Sequence, residues 1–290
     1  MGRDGWSAGR VSQSSEAGPG SWPRPSRFRA QLRGDGAPPV CMWMTLQSSN
    51  LVELAAAHGL DTVILDQEHT TSGLDLVREQ IVAAQLGGMT ALVRPPHTDP
   101  HQVGRILDAG ADGIVFPRVS TVEEARTAAA ALRYPPQGTR GWAGNHARHV
   151  RWNSALTGPG GEGVWSPEFV AAADASIASV FMIEGPSGVE QLEDILEVGA
   201  PDAVIFGWGD FLLEVEFDRA RVAAARKQIY ETCRRRGIGI ALSVPPSTGE
   251  EPYYPGCFFS AGVDASIVSE AVRVRMDEAR AEIARSHPAR

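Results

Sequence analysis

The stretch Thr62-Val63-Ile64-Leu65-Asp66-Gln67-Glu68-His69 carries the decision about the fold. Its apolar residues do not alternate with polar ones, as a parallel strand covered on both faces requires. They run directly into two acids and a histidine. The same grammar recurs along the chain. Thr90–Val93 leads into Arg94-Pro95, Ile177–Ile183 into Glu184-Gly185, and Ala203–Phe206 into Gly207-Trp208-Gly209-Asp210. Val40–Met44, Gly113–Phe116, Ile238–Leu242 and Cys257–Ala261 complete a set of candidate strands.

Helical periodicity fills the intervals, over Leu51–His58, Leu74–Leu86, Pro100–Ala109, Thr121–Leu132, Gly188–Val198 and Arg219–Arg235. Gly59, Gly87, Gly110 and Gly199 stand just past helix ends, where a left-handed cap suits glycine. Strands alternating with helices over about 250 residues predict a closed (β/α)8 TIM barrel. A doubly wound open sheet is the alternative, but no G-x-G-x-x-G opens a helix after the first strand, so a dinucleotide site has no support.

Residues 1–27 are rich in Gly, Ser, Pro and Arg and lack the apolar core of a secretory signal. They read as a disordered extension, leaving 28–290 as one barrel domain with a C-terminal helix over Ser266–Arg285. Two segments break the rhythm: the Gly- and Trp-rich Tyr134–Glu168, and the Pro-rich Val244–Gly256. Long loops of this kind are usually active-site walls, lids or subunit contacts.

Composition narrows the function. With 290 residues, 43% hydrophobic and 21% charged, the chain is globular. A net charge of −8 argues against nucleic acid as a partner, and no apolar run is long enough to enter a membrane as a helix. Arg234, Arg235 and Arg236 read as a helix end. Cys41, Cys233 and Cys257 are scattered and odd in number, fitting neither disulfides nor a zinc knuckle, which points to the reducing cytoplasm. The single lysine, Lys227, lies in a charged helical segment. An imine-forming lysine needs an apolar pocket, so chemistry beside a carbonyl would need a metal instead.

In a (β/α)8 barrel the active site gathers where strands end. Taken singly, Asp66 could be a turn or cap residue, His69 a loop histidine, Arg94 a partner for any acid, and Glu184 and Asp210 surface acids. Brought together in one mouth, they are hard to explain by packing. Two carboxylates from neighbouring strands suit a hard cation such as Mg²⁺ or Mn²⁺. Nothing selects His58, His97, His101, His146, His149 or His287 in the same way.

An ordered series of motifs then resembles one family. It comprises Asp66-x-Glu68-His69, Arg94-Pro95, Asp99-Pro100, Ala111–Pro117, Glu123-Glu124-Ala125-Arg126, Arg133-Tyr134-Pro135-Pro136-x-Gly138-x-Arg140-Gly141, Glu184, Gly207-x-x-Asp210 and Gly262-Val263-Asp264. From about Phe28 to Met276 the chain resembles the HpcH/HpaI aldolases, class II pyruvate aldolases that include 2-dehydro-3-deoxyglucarate and 4-hydroxy-2-oxo-heptane-1,7-dioate aldolases. Macrophomate synthase is a divergent relative. The resemblance implies a barrel of the phosphoenolpyruvate/pyruvate superfamily type, and a divalent ion, Mg²⁺ or Mn²⁺ with Co²⁺ as a further candidate. It implies a keto acid and an aldehyde as small-molecule partners, and a homo-oligomer, a hexamer or trimer of dimers.

Carried over to this chain, it implies Glu184 and Asp210 as metal ligands and Arg94 against the keto or enolate oxygen. His69 would be the base, working through water and oriented by Asp108. Asp66 and Glu68 would surround the ion's water, and the amides around Gly209 and Asp210 would hold the substrate carboxylate. The chain departs from the family where a glutamine gives way to Met182, a proline to Trp208 and a polar residue to Leu212. These departures leave the enolate-forming groups intact beside a more apolar and aromatic pocket. They imply an unusual acceptor, in specialised metabolism. Two rivals stand beside this reading: an oxaloacetate decarboxylase or macrophomate synthase-like enzyme using the same enolate, and a barrel that binds without catalysing.

Overall fold

The computed structural model describes residues 26–144, 147–148, 166–243 and 253–286. Eight strands close into a barrel in sequence order. They are β1 (Val40–Met44), β2 (Thr62–Asp66), β3 (Thr90–Arg94), β4 (Gly113–Phe116), β5 (Ala178–Ile183), β6 (Ala203–Phe206), β7 (Gly239–Ser243) and β8 (Phe258–Val263). All neighbours are parallel, and β8 returns to β1. Each candidate strand is present, three with the expected ends and five with ends moved by one or two residues, and the open-sheet alternative is excluded.

A short helix, α1 (Arg27–Leu32), precedes the barrel, and Ser26 caps it by accepting from the Arg29 amide. The domain start expected at 28 falls inside α1, and residues 1–25 lie outside the described residues. The crossovers contain α2 (Ser49–Ala57), α3 (Leu74–Leu86), α4 (Pro100–Asp108), α5 (Val122–Ala131), α6 (Pro167–Ser176), α7 (Pro186–Glu190), α8 (Leu192–Gly199), α9 (Trp208–Glu214) and α10 (Arg219–Arg236). Their starts are written in the sequence. Ser48, Asp99, Thr121, Ser166 and Asp218 each accept a first-turn amide, and Thr121 with Glu124 forms a reciprocal capping box. The arginine run ends α10 as expected, with Arg235 and Arg236 paired to Glu193 of α8.

Two of the four expected glycine caps are displaced. Gly87 stays at φ −78°, and its successor Gly88 takes the left-handed turn at φ 79°. After α8 the left-handed residue is Ala200, at φ 41°. Gly199 is small for a different reason: a Cβ there would lie 2.3 Å from the Phe181 ring.

Side chains alternate across the strands. One set, including Val63, Leu65, Val93, Phe116, Phe181, Ile183 and Val204, packs against the helices. The other set fills the barrel interior with Cys41, Ile64, Leu92, Val115, Val180, Met182, Ala203, Ile205 and Phe258. Phe28 and Leu32 of α1 join this inner cluster, Phe28 meeting Phe258 edge-on at 5.3 Å. Arg27 and Arg29 tie α1 to Asp61 and Asp202, just before β2 and β6, so α1 seals the end of the barrel where strands begin. The opposite end is the mouth.

The last element, α11 (Asp264–Ser286), is anchored by the Asp264 carboxylate, which accepts from the amides of Thr45 and Leu46. Beyond Asp264 it is exposed, including Ile267, Val268, Val272 and Ile283. No helix among the described residues is long and apolar enough to cross a membrane. The three cysteines are buried and none is in a disulfide. Lys227 is exposed, near Glu231 at 3.8 Å, in keeping with a solvated amine. Much of the Trp-rich loop (145–146 and 149–165, with Trp152 and Trp165) and 244–252 of the Pro-rich segment lie outside the described residues.

Candidate active site

The inward-facing series that fills the barrel runs on past the strand ends and turns polar. Ile64 is followed two residues on by Asp66, Leu92 by Arg94, and Val180 by Met182 and then Glu184. Asp66 and Arg94 are register partners on adjacent strands. Arg94 donates from Nε and Nη2 to the two Asp66 oxygens, both at 2.8 Å. Its Nη1 lies 3.0 Å from Glu68 Oε2 and 3.6 Å from the Met182 sulfur. The indole of Trp43, at the end of β1, stacks on the guanidinium at 4.5 Å. Such a contact adds about 1 kcal/mol or more once water is excluded. Arg94 is thus held on every side, and only 7% of it is exposed.

The β2–α3 turn is shaped by the same residues. Asp66 Oδ1 accepts from the Glu68 amide, and the Asp66 carbonyl accepts from the Thr70 hydroxyl. Burial raises the Glu68 pKa, and Arg94 and His69 offset this in part. His69 Nε2 stands 3.7 Å from Glu68 Oε2 with most of the imidazole exposed.

Across the mouth, Glu184 is buried and accepts from the Arg118 amide at 2.6 Å. Burial pushes its pKa up, and nearby Glu68 and Asp210 push it further, against the pull of the Arg118 amide and Arg94. Its second oxygen faces Gly207, where a Cβ would come within 2.4 Å. Asp210, in the first turn of α9, is half exposed, and its nearest cation is Arg118 at 3.8 Å. Gly207 at the N-cap offers α9 no side chain, so Gly209 and Asp210 begin the helix without a side-chain cap. Trp208 stands exposed beside them.

The structure therefore brings Asp66, Glu68, His69, Arg94, Met182, Glu184 and Asp210 to one rim. Asp108 stands differently. At the end of α4 it pairs with the buried guanidinium of Arg140 at 3.0 Å, which in turn stacks on Tyr134 at 4.6 Å. Within one chain the carboxylate beside His69 is Glu68, and the orienting contact implied for Asp108 is absent among the described residues. Trp43, Arg118 and Glu214 stand at the rim although the sequence did not single them out. Trp43 is two residues beyond inward-facing Cys41, so strand alternation alone could have found it. Arg118 follows Phe116-Pro117 at the end of β4, and an arginine beside a proline at a strand end is the same signal that Arg94-Pro95 gives after β3.

Five carboxylates (Asp66, Glu68, Glu184, Asp210 and Glu214) thus gather around the guanidinium groups of Arg94 and Arg118. That surplus of negative charge, with one Glu184 oxygen uncommitted, fits a divalent cation. Among the described residues no three His, Cys, Asp or Glu side chains are grouped to enclose one. The donor set is instead the sparse, all-oxygen kind to which water and substrate add the remaining ligands.

Similarity to known proteins runs over most of the chain. The family described as HpcH/HpaI aldolase/citrate lyase matches residues 40–252. The 4-hydroxy-2-oxo-heptane-1,7-dioate aldolase of Shigella sonnei is 29% identical over 250 residues, covering 84% of this chain and 91% of the relative. An HpcH/HpaI aldolase/citrate lyase family protein from Burkholderia cenocepacia superposes with a TM-score of 0.74 at 23% identity, covering 87% of this chain and 98% of that one. Macrophomate synthase gives 0.74 at 23% identity over 90% of each chain. At these identities the two structures speak for the fold alone.

Proposed function

We infer the chemistry from the premise that this chain belongs to the HpcH/HpaI aldolase/citrate lyase family, whose similar relatives are aldolases, carbon–carbon lyases. We propose that its mouth forms the enolate of a pyruvate-type keto acid and adds it to, or releases it from, an aldehyde. The observation that carries this reading is Arg94, buried and fixed by Asp66, Glu68 and Trp43 on the rim that also holds Glu184 and Asp210.

Removing a proton beside a ketone builds negative charge on the ketone oxygen. A guanidinium already fixed at that oxygen stabilises the charge without reorganising. Arg94 meets this condition because its geometry is set by protein carboxylates. Glu184 and Asp210 would hold a divalent ion, Mg²⁺ or Mn²⁺ with Co²⁺ as a further candidate. When bound, that ion supplies a second positive charge for the oxygens of the keto acid. The amides of Gly209 and Asp210 would receive the acid's carboxylate. His69 would move the proton through water, a role suited to imidazole, which titrates nearest neutrality. Its exposure at the rim leaves it open to water and to the acceptor. Asp66 acts on this scheme by holding Arg94, and Glu68 by lying between Arg94 and His69. Met182 and Trp208 would give the acceptor side an apolar wall, which supports an acceptor less polar than a small hydroxyaldehyde. Asp108 would act on His69 only from outside the contacts of a single chain.

Two further readings accompany the chemistry. The exposed apolar residues of α11 support a homo-oligomer, and a hexamer is the assembly proposed. Three buried thiols, none in a disulfide, support the reducing cytoplasm.

Exchange of pyruvate methyl protons for deuterium, followed by NMR with and without Mn²⁺ or Mg²⁺, tests the proposal without knowledge of the acceptor. Metal-dependent exchange that disappears in Asp210→Ala is the expected result. Metal binding without exchange would overturn pyruvate as the acid. In a second assay, His69→Ala should abolish aldol cleavage and spare oxaloacetate decarboxylation, which reaches the same enolate without a base.

A further inference from the structure

Arg118 holds both carboxylates assigned above to the ion, and it holds them in different ways. Its backbone is left-handed, at φ 52°, a conformation uncommon for a residue with a Cβ. That turn aims its amide at Glu184 Oε1, 2.6 Å away. Its side chain reaches the other carboxylate, with Nη1 at 3.8 Å from Asp210 Oδ1. A third acid competes for the same guanidinium: Nη2 donates to Glu214 Oε1 at 3.1 Å. Glu214 is at the end of α9, one turn beyond Asp210, and its carboxylate lies against Gly185, where a Cβ would meet Oε2 at 3.0 Å. The absence of a side chain at 185 therefore lets Glu214 stand beside Arg118.

We propose that Arg118 is a positioning residue whose charge sets the affinity of the site for its divalent cation, with Glu214 as the counterweight. This rests on Glu184 and Asp210 being the ligands. The amide fixes Glu184 whatever the side chain does. The guanidinium is a monovalent cation resting at Asp210, and a divalent ion arriving there must work against it. Glu214 draws the guanidinium the other way and lowers that opposition. Since Arg118 is 57% exposed, the effect is screened by solvent and amounts to tuning rather than to an on–off switch.

The two side chains therefore have opposite signs. Arg118→Asn removes the charge while keeping a residue that tolerates the left-handed turn. It is expected to tighten Mn²⁺ binding by about tenfold. Glu214→Gln leaves the guanidinium to Asp210 alone and is expected to weaken Mn²⁺ binding several-fold. Arg118→Lys keeps the charge and should stay near wild type. Free Mn²⁺ measured by EPR during titration of the full chain reads all three, with Asp210→Asn as the reference for the site. Loss of binding in Asp210→Asn, with opposite shifts in the other two, supports the proposal. Loss in Asp210→Asn with Arg118→Asn unchanged or weakened overturns it and leaves the ligand assignment standing. Wild-type affinity in Asp210→Asn overturns both. Melting temperatures without metal identify any variant that has lost its fold, and Arg118→Gly, which relieves the turn entirely, then replaces Arg118→Asn.

Discussion

Arg94 and Asp66 face each other in register on adjacent strands and share two parallel 2.8 Å hydrogen bonds, the arginine 7% and the aspartate 2% exposed. A pair this deep is costly to break from one side, because the survivor is left charged without a partner. Asp66→Ala is expected to lose about 3 kcal/mol of stability, moderated by Glu68. Urea unfolding measures it. A loss below about 1 kcal/mol would show that Glu68 alone satisfies the guanidinium.

Glu68 gives a pH dependence. Burial raises its pKa in the folded protein, so the folded state keeps this proton to higher pH than the unfolded chain does. The resulting stability is complete below the unfolded value and is lost as pH rises through the folded one. In chelator, the melting temperature should therefore fall as pH climbs from the ordinary carboxylate range toward neutrality. Glu68→Gln should reduce that slope, leaving the share of Glu184, whose pKa burial also raises. An unchanged slope in the variant would assign the effect to another group.

Gly207 and Glu184 make a steric prediction. A methyl group at 207 would sit 2.4 Å from Glu184 Oε2 and 2.5 Å from its Cβ, so the whole glutamate side chain would have to shift. Gly207→Ala should weaken Mn²⁺ binding by at least about tenfold while the far-UV spectrum stays native. Native affinity in the alanine variant would mean that this oxygen is not a ligand.

Gly199 offers the contrast. Its missing Cβ makes room for the Phe181 ring on the outer face of β5, away from the mouth. Gly199→Ala should cost about 1–3 kcal/mol through overpacking and leave turnover per folded molecule unchanged. Equal losses of stability and turnover would tie this packing layer to the site.

The barrel was legible because its strands are buried on both faces, so Val63-Ile64-Leu65 and Ala91-Leu92-Val93 read as apolar runs rather than as alternation. The rim was legible because ionisable residues at strand ends have few reasons to be there other than chemistry. What stayed hidden depends on direction rather than on residue type. That Arg94 lies between Trp43 and Asp66 follows from strand register, which no single strand encodes. Arg118 reaches Glu184 through a backbone amide, and an amide has no signature in a sequence. Asp108 was placed by motif. In the folded chain Arg140, buried and 32 positions away in sequence, is the partner it meets.

The plug formed by Phe28 and Leu32 has a kinetic consequence. With the interior packed solid down to that floor, the mouth is the one approach to the rim, and whatever sits deepest there must enter before its co-substrate and depart after it. A queue of that shape yields a compulsory order of addition. Initial-rate patterns in the condensation direction should then place the keto acid first, with the aldehyde unable to bind productively until the inner berth is filled.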